Sequence, residues 1–189
     1  VQLGGRELGL TRFAEKLLHV PAMTTITAGG TTENQNDKFS GLSRQLVGRL
    51  LTCVYQSTRN SGAVTRNAAR TVAETVGAEF IEWNVDAMVD DYVATVSQAI
   101  GRELTWDGDD VALQNIQARV RAPGVWMLAN IRGALLLATS NRSEAAVGYA
   151  TIDGDTSGGL SPIAGIDKAF IRRWLVWCEQ TGPDGIGPL

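Results

Sequence analysis

The sequence predicts an α/β fold, a parallel sheet with crossover helices on both faces. Two observations carry that expectation: strand-length apolar runs alternate with helix-period segments between residues 50 and 101, and a glycine closes each of those helical segments. Parallel neighbours need a long crossover between them, and the alternation supplies one. The length of 189 residues suits one domain with its own core. With 44% apolar and 20% charged residues and a formal net charge of −3, the composition is that of a foldable chain without a basic nucleic-acid or anionic-membrane surface. No apolar run approaches the roughly 20 residues needed to span a bilayer, and VQLGGRELGL lacks the order of a secretory signal. Cys53 and Cys178 lie in the apolar stretches LTCVY and LVWCE, which favours buried reduced thiols and a cytoplasmic setting.

In chain order, RELGLTRFAEKLLHV places Leu8, Phe13, Leu17 and Leu18 for a short amphipathic helix that Pro21 ends. Residues 21–41 are rich in Thr, Gly and Asn, too polar to bury much, and read as an inserted surface loop. LSRQLVGRLLTCVYQ passes from a helical stretch into a buried strand around Leu51–Tyr55. After the polar turn QSTRNSG, Val64, Ala68, Val72 and Val76 form one face of a helix that Gly77 closes. AEFIEWNVD is a second strand, and Met88, Tyr92, Val96 and Ile100 mark the apolar face of a helix stopped by Gly101. Past the acidic turn TWDGDD, a helix runs from about Val111 to Ile131 with Pro123 and Gly124 as its kink or break. GALLLA (133–138) has strand length, and a polar loop begins at TSNRSE. A Gly-rich stretch then leads to IDKAFIRRWLVWCEQ, where Phe170, Trp174 and Trp177 share a helical face, and TGPDGIGPL (181–189) is a terminal linker.

Three constellations could carry chemistry. Asn115 and Arg119 lie one helical turn apart, so an amide and a guanidinium share a face that could grip a carboxylate, a ribose or a phosphate; a solvated polar face is the plainer account of the same pair. Thr139 to Glu144 follow the apolar run, where hydroxyls and backbone N–H groups suit phosphate oxygens. Glu144 there is either a Mg²⁺ ligand or a first-turn acid favoured by the helix dipole. The segment 148–159, with Thr151, Asp153 and Asp155, has the glycine density of a loop that closes over a ligand. Lys168 follows at a distance that lets it face such a loop as a point charge, though a lysine before an amphipathic helix is usually just solvated. Ala28-Gly29-Gly30 follows no buried strand, and His19, the single histidine, has no nucleophile or ligand cluster beside it; two distant cysteines do not make a zinc site.

Together, CVYQSTRNS (53–61), TRNAARTVAETVGA, LQNIQARVR (113–121), LATSNRSEAAVGYATIDGDTSGGLSPIAGIDK (137–168) and RRWL resemble, in order and spacing, the synthetase domain of glutamine-dependent NAD⁺ synthetases. The resemblance runs from about residue 50 to the end, and Gln-Asn-Ile-Gln-Ala-Arg is closer to the long glutamine-using enzymes than to the short ammonia-using ones. It implies an ATP-pyrophosphatase fold, adenine nucleotide alpha-hydrolase-like, and a reaction in which ATP adenylates deamido-NAD⁺ and ammonia displaces AMP to give NAD⁺. ATP and Mg²⁺ are the implied cofactors, a glutaminase domain the implied source of ammonia, and a homodimer or higher homo-oligomer the implied assembly. Carried over by position, Asn115 and Arg119 contact deamido-NAD⁺, Thr139 contacts ATP, and Glu144 reaches deamido-NAD⁺ or the metal. Loop 151–159 orders over the phosphates, Lys168 lies near ATP, and Gln56, Ser57, Thr58 and Arg59 follow a strand where the family holds the nucleotide.

One part of the family pattern is missing. The pyrophosphate loop Ser-Gly-Gly-x-Asp-Ser does not occur; Ser157-Gly158-Gly159-Leu160-Ser161 imitates its letters but lacks the aspartate and follows a polar loop. Since VQLGGRELGL resembles the end of the helix after that loop, the expectation is a partial synthetase domain over 1–189 that lacks the first strand, the glutaminase domain and the closing segment, and is inactive alone. The alternative is a noncatalytic dinucleotide-binding or regulatory module that has lost the pyrophosphate loop.

Overall fold

The computed structural model describes residues 1–18, 35–182 and 188. His19, Ala28-Gly29-Gly30, residues 21–34 of the expected insertion and most of the expected terminal linker lie outside the described residues. The chain divides into two compact units, Val1–Trp83 and Asn84–Leu189.

The first unit opens with α1 (Gln2–Leu8) and α2 (Leu10–Lys16), where one helix was expected. Gly9, at φ 79° and ψ 142°, takes a conformation that no helix accommodates and that glycine alone adopts readily. The bare Cα of Gly4 lets the Phe13 ring fold back onto α1. Next comes α3 (Gln35–Leu50), which begins inside the segment expected to be loop, so 35–41 are helical. QNDKFSG contains no proline, and nothing prevents the LSRQLVGRL helix from extending backwards through it. Leu46 on α3 is fully buried.

The two strands are β1 (Thr52–Ser57) and β2 (Glu79–Asn84). Thr52 Oγ1 donates to Glu79 and, at the other end, Trp83 Nε1 donates to Gln56. Both contacts join residues 27 apart, an offset that stays constant only if the strands run parallel. Between them runs the crossover helix α4 (Ala63–Val76), which Gly77 ends in the left-handed conformation at φ 80°. Its expected valine face is not the inward one: Ala73 is buried, whereas Val64 is 82% and Val72 64% exposed. The side that meets β2 instead carries Arg66 and Arg70. Both pair with Glu82, at 3.5 and 3.1 Å, and the Arg70 guanidinium sits 4.7 Å from the centre of the Phe80 ring.

In the second unit, Val85 is fully buried ahead of α5 (Asp86–Ile100), which Gly101 stops at φ 71°; Met88, Tyr92, Val96 and Ile100 are about half exposed. The helix α6 (Trp106–Arg119) begins within the expected acidic turn. Thr105 caps it by accepting from the Gly108 N–H, and Asp107 and Asp109 favourably occupy the positive end of its dipole. α6 passes into α7 (Arg121–Arg132) through Val120, which keeps helical angles at φ −60° and ψ −20°, and the non-helical residue is Asp109 near the start of α6, at φ −129° and ψ 22°, not Pro123. Pro123 lies in the first turn of α7, where its missing N–H has no helical partner to lose. Gly133 and Ala134 close α7 through N–H bonds to Asn130 and Ala129, so GALLLA contributes only an isolated parallel bridge, Leu137 to Leu160, instead of a full strand. The short α8 (Arg142–Val147) and the longer α9 (Lys168–Gln180) complete the unit. Phe170, Trp174 and Trp177 lie on α9, about half exposed.

Both cysteines are free: Cys178 is buried, and Cys53 is half-buried with its thiol pKa pushed up by burial. Among the described residues no helix is long and apolar enough to cross a membrane. No strand precedes β1 among them.

Candidate functional site

Asn115 and Arg119 share a face of α6, and the loop 151–157 lies directly on them. Thr151 Oγ1 donates to Asn115 Oδ1 at 3.1 Å, and Arg119 Nε donates to the Ile152 carbonyl at 3.1 Å. The loop is held from within by the Thr151 N–H on Asp155 Oδ2 (2.9 Å) and by Asp153 at φ 63°, a left-handed conformation that aspartate tolerates better than most residues. From the turn before α8, Ser140 Oγ donates to the Asp155 carbonyl at 2.9 Å. Gly154 fits because its bare Cα faces the Ala118 backbone, where a Cβ would come within 2.9 Å of the carbonyl carbon. Beside this corner a cleft of about 670 Å³ runs between α5 and α6, with Tyr92, Val96, Leu113, Asn115 and Arg119 in its walls. Three of the expected groups, Asn115, Arg119 and the loop bearing Thr151, Asp153 and Asp155, are therefore one assembly.

Glu144 and Lys168 form a second. Asn141 accepts from the N–H groups of Ser143 and Glu144, while Glu144 Oε2 accepts from the Asn141 N–H at 3.2 Å, a reciprocal capping box at the start of α8. Lys168 Nζ lies 3.4 Å from Glu144 Oε1, and the Lys168 N–H donates to Ser143 Oγ at 3.0 Å. Lys168 thus faces the start of α8, where the sequence had allowed it to face the Gly-rich loop. Its neighbour Asp167 caps α9 through the Phe170 N–H and pairs with Arg142 at 3.0 Å. The Asn141 N–H, then Lys168, hold the Glu144 carboxyl below its ordinary range, and the Phe170 N–H does the same for Asp167. Thr139 stands exposed at the end of the 136–138 segment.

In the first unit, Gln56 Oε1 accepts from Trp83 Nε1 at 3.1 Å and Ser57 Oγ donates to the Trp83 carbonyl at 3.3 Å. Both side chains fasten the end of β1 to β2. Thr58 N–H donates to Ser61 Oγ at 2.9 Å, which shapes the turn that carries Arg59 into α4.

A resident metal centre does not fit these residues. Both oxygens of Glu144 are already engaged, and among the described residues no group of three or more His, Cys, Asp or Glu side chains is placed to hold an ion.

Trp126 carries no sequence expectation, and Ser157 entered only as part of the Ser-Gly-Gly imitation, yet the two are joined by an Nε1–H···Oγ bond 2.7 Å long. A signal was available. Positions 115, 119 and 126 are spaced 4 and 7 apart, which keeps one helical face, and Val120 between them is itself helical at φ −60° and ψ −20°.

The NAD synthase family profile matches residues 42–179. Human glutamine-dependent NAD(+) synthetase is 30% identical over 151 residues, covering 72% of this chain and 21% of that protein. The crystal structure of a glutamine-dependent NAD(+) synthetase from Cytophaga hutchinsonii superposes with a TM-score of 0.81 at 48% identity, over 95% of this chain and 30% of that one. A glutamine-dependent NAD+ synthetase from Acinetobacter baumannii, in complex with adenosine diphosphate, shares the fold at 24% identity, with a TM-score of 0.63 over 70% of this chain and 24% of its own. The chain spans about a fifth of the length of the human relative.

Proposed function

The chain belongs to the NAD synthase family, and from that premise we propose that it serves the ATP-dependent amidation of deamido-NAD⁺ to NAD⁺. In this reading ATP adenylates the nicotinate carboxylate with loss of pyrophosphate, and ammonia, delivered from glutamine by a glutaminase domain, displaces AMP. The observation that carries the reading is the α6 corner, where Asn115 and Arg119 meet the loop 151–157 beside a cleft of about 670 Å³. An amide and a guanidinium on one face can grip the oxygens of a dinucleotide, and a loop closing over them excludes water from the mixed anhydride. Thr139, Lys168, Gln56 and Ser57 are assigned to ATP, and Glu144 to deamido-NAD⁺. Mg²⁺ enters as the cation carried by the phosphates of ATP, with no dedicated cage of its own. A second copy of the chain completing the dinucleotide site, and a cytoplasmic location, belong to the same reading. Without the Ser-Gly-Gly-x-Asp-Ser loop, the chain by itself is expected to be inactive.

Arg119→Ala in the full protein tests the assignment. Loss of one charge-assisted contact to the dinucleotide should raise the KM for deamido-NAD⁺ by roughly tenfold to a hundredfold while that for ATP stays within about twofold. An unchanged KM for deamido-NAD⁺ would remove Arg119 from the substrate site.

A further inference from the structure

Three side chains from the α6–α7 arm hold the loop 151–157, and they do not hold it alike. Asn115 and Arg119 take its leading end, at Thr151 and Ile152, and both belong to the substrate-gripping pair of the proposed function. Trp126 takes its trailing end by donating its indole N–H to Ser157 Oγ at 2.7 Å, the shortest of the three contacts. Behind Ser157 the chain is already fixed. Gly159 N–H donates to the Leu136 carbonyl and Ala138 N–H to the Leu160 carbonyl, each at 2.8 Å. A second cleft of about 430 Å³ has Trp126, Ser157, Asp153, Arg119 and Tyr92 among its walls, so the indole stands at the edge of the same corner.

We infer that Trp126 is a positioning residue. It moors the trailing end of the loop independently of Asn115 and Arg119, so that these two can pass to a dinucleotide while the loop remains over the site. This rests on the proposed function for the identity of the ligand, but the mooring itself depends only on the Trp126–Ser157 contact. The ring is not what matters: phenylalanine keeps the packing and loses the donor, and threonine at 157 keeps the acceptor that alanine loses.

Hydrogen exchange of the loop amides in the full protein, without ligand, tests the mooring. Trp126→Phe and Ser157→Ala should each speed exchange across 153–157 by roughly threefold to tenfold, the range for loss of one hydrogen bond. The double variant should be no faster than either single one, and Ser157→Thr should exchange at the wild-type rate. Unchanged exchange in Trp126→Phe, or single effects that add in the double variant, would overturn the mooring. Deamido-NAD⁺ binding, measured on the same proteins, separates the two layers. Positioning requires a similar threefold to tenfold weakening in Trp126→Phe and Ser157→Ala but not in Ser157→Thr; wild-type affinity in all three overturns it. Failure of the wild-type protein itself to bind deamido-NAD⁺ refutes the proposed function, and the exchange rates still decide the mooring.

Discussion

Replacing Gly158 by alanine should destabilise the second unit far more than the same change one residue later. A Cβ at 158 would lie 2.6 Å from the Ala138 nitrogen, 3.0 Å from its Cβ and 3.1 Å from the Leu136 carbonyl oxygen. None of these is the end of a flexible side chain, so the 136–138 and 158–160 segments must move apart. Their hydrogen bonds, Gly159 to Leu136 and Ala138 to Leu160 at 2.8 Å each, lengthen with them. Overpacking of this kind costs about 1–3 kcal/mol, and weakening two bonds adds on the order of 1–2 kcal/mol. The stiffer unfolded chain returns about 0.4–1 kcal/mol. The net loss is about 2–4 kcal/mol, a fall in the urea midpoint of roughly 1–2 M. Gly159→Ala is the control, because the one atom its Cβ would crowd is Leu135 Cδ1, at 2.9 Å, which can rotate away, while the Leu136 carbonyl oxygen at 3.8 Å is an ordinary contact. That variant should lose less than about 1 kcal/mol. Urea unfolding followed by tryptophan fluorescence measures both. Equal losses at 158 and 159, or a Gly158→Ala midpoint matching the wild type, would refute the close-approach argument.

Asn141→Ala removes the acceptor for two N–H groups at the start of α8 and should cost about 1–2 kcal/mol in the same unfolding assay. Asp109 is held at about 2, against 3.8 in a free chain, chiefly by its hydrogen bonds from Arg102 at 2.7 Å. A depressed carboxyl contributes stability that is complete above the unfolded value and is lost as pH falls through the folded one, so the relevant window runs from about pH 4 to about pH 2. The wild-type urea midpoint should fall more steeply across that window than the midpoint of Asp109→Asn, and parallel pH profiles would exclude Asp109 as the source.

The parts legible in the sequence are those where local rules and packing agree. β1, α4, β2 and α5 appear in the expected order because their apolar runs and the stops at Gly77 and Gly101 are local properties. Glu144 was open to two readings, and the structure gives it the capping role among its contacts, a short-range interaction fixed by the Asn-x-x-Glu spacing. Misreadings arise where tertiary context decides. Pro123 looked like a kink, yet a proline in the first turn of a helix breaks nothing. The valines of α4 looked like its inner face, but the side turned to β2 carries Arg66 and Arg70, and Val64 and Val72 are exposed. GALLLA has strand composition, and its first residues are consumed in ending α7. No local pattern in the sequence pairs Trp126 with Ser157, because the two lie 31 residues apart.

The loop offers Asn115 a hydroxyl and Arg119 a carbonyl oxygen from consecutive residues, Thr151 and Ile152. It is a stencil of whatever displaces it: one hydrogen-bond donor beside one oxygen acceptor, the pairing that a ribose hydroxyl next to a phosphate or carboxylate oxygen would reproduce. A ligand reaching these two side chains would compete with a tethered rival whose effective concentration is about millimolar for a short flexible link, so its apparent affinity would understate its direct attraction to them. A ligand bringing two acceptors would also have to turn the Asn115 amide to present its NH₂, and discrimination between such ligands then resides in the orientation of a single side chain.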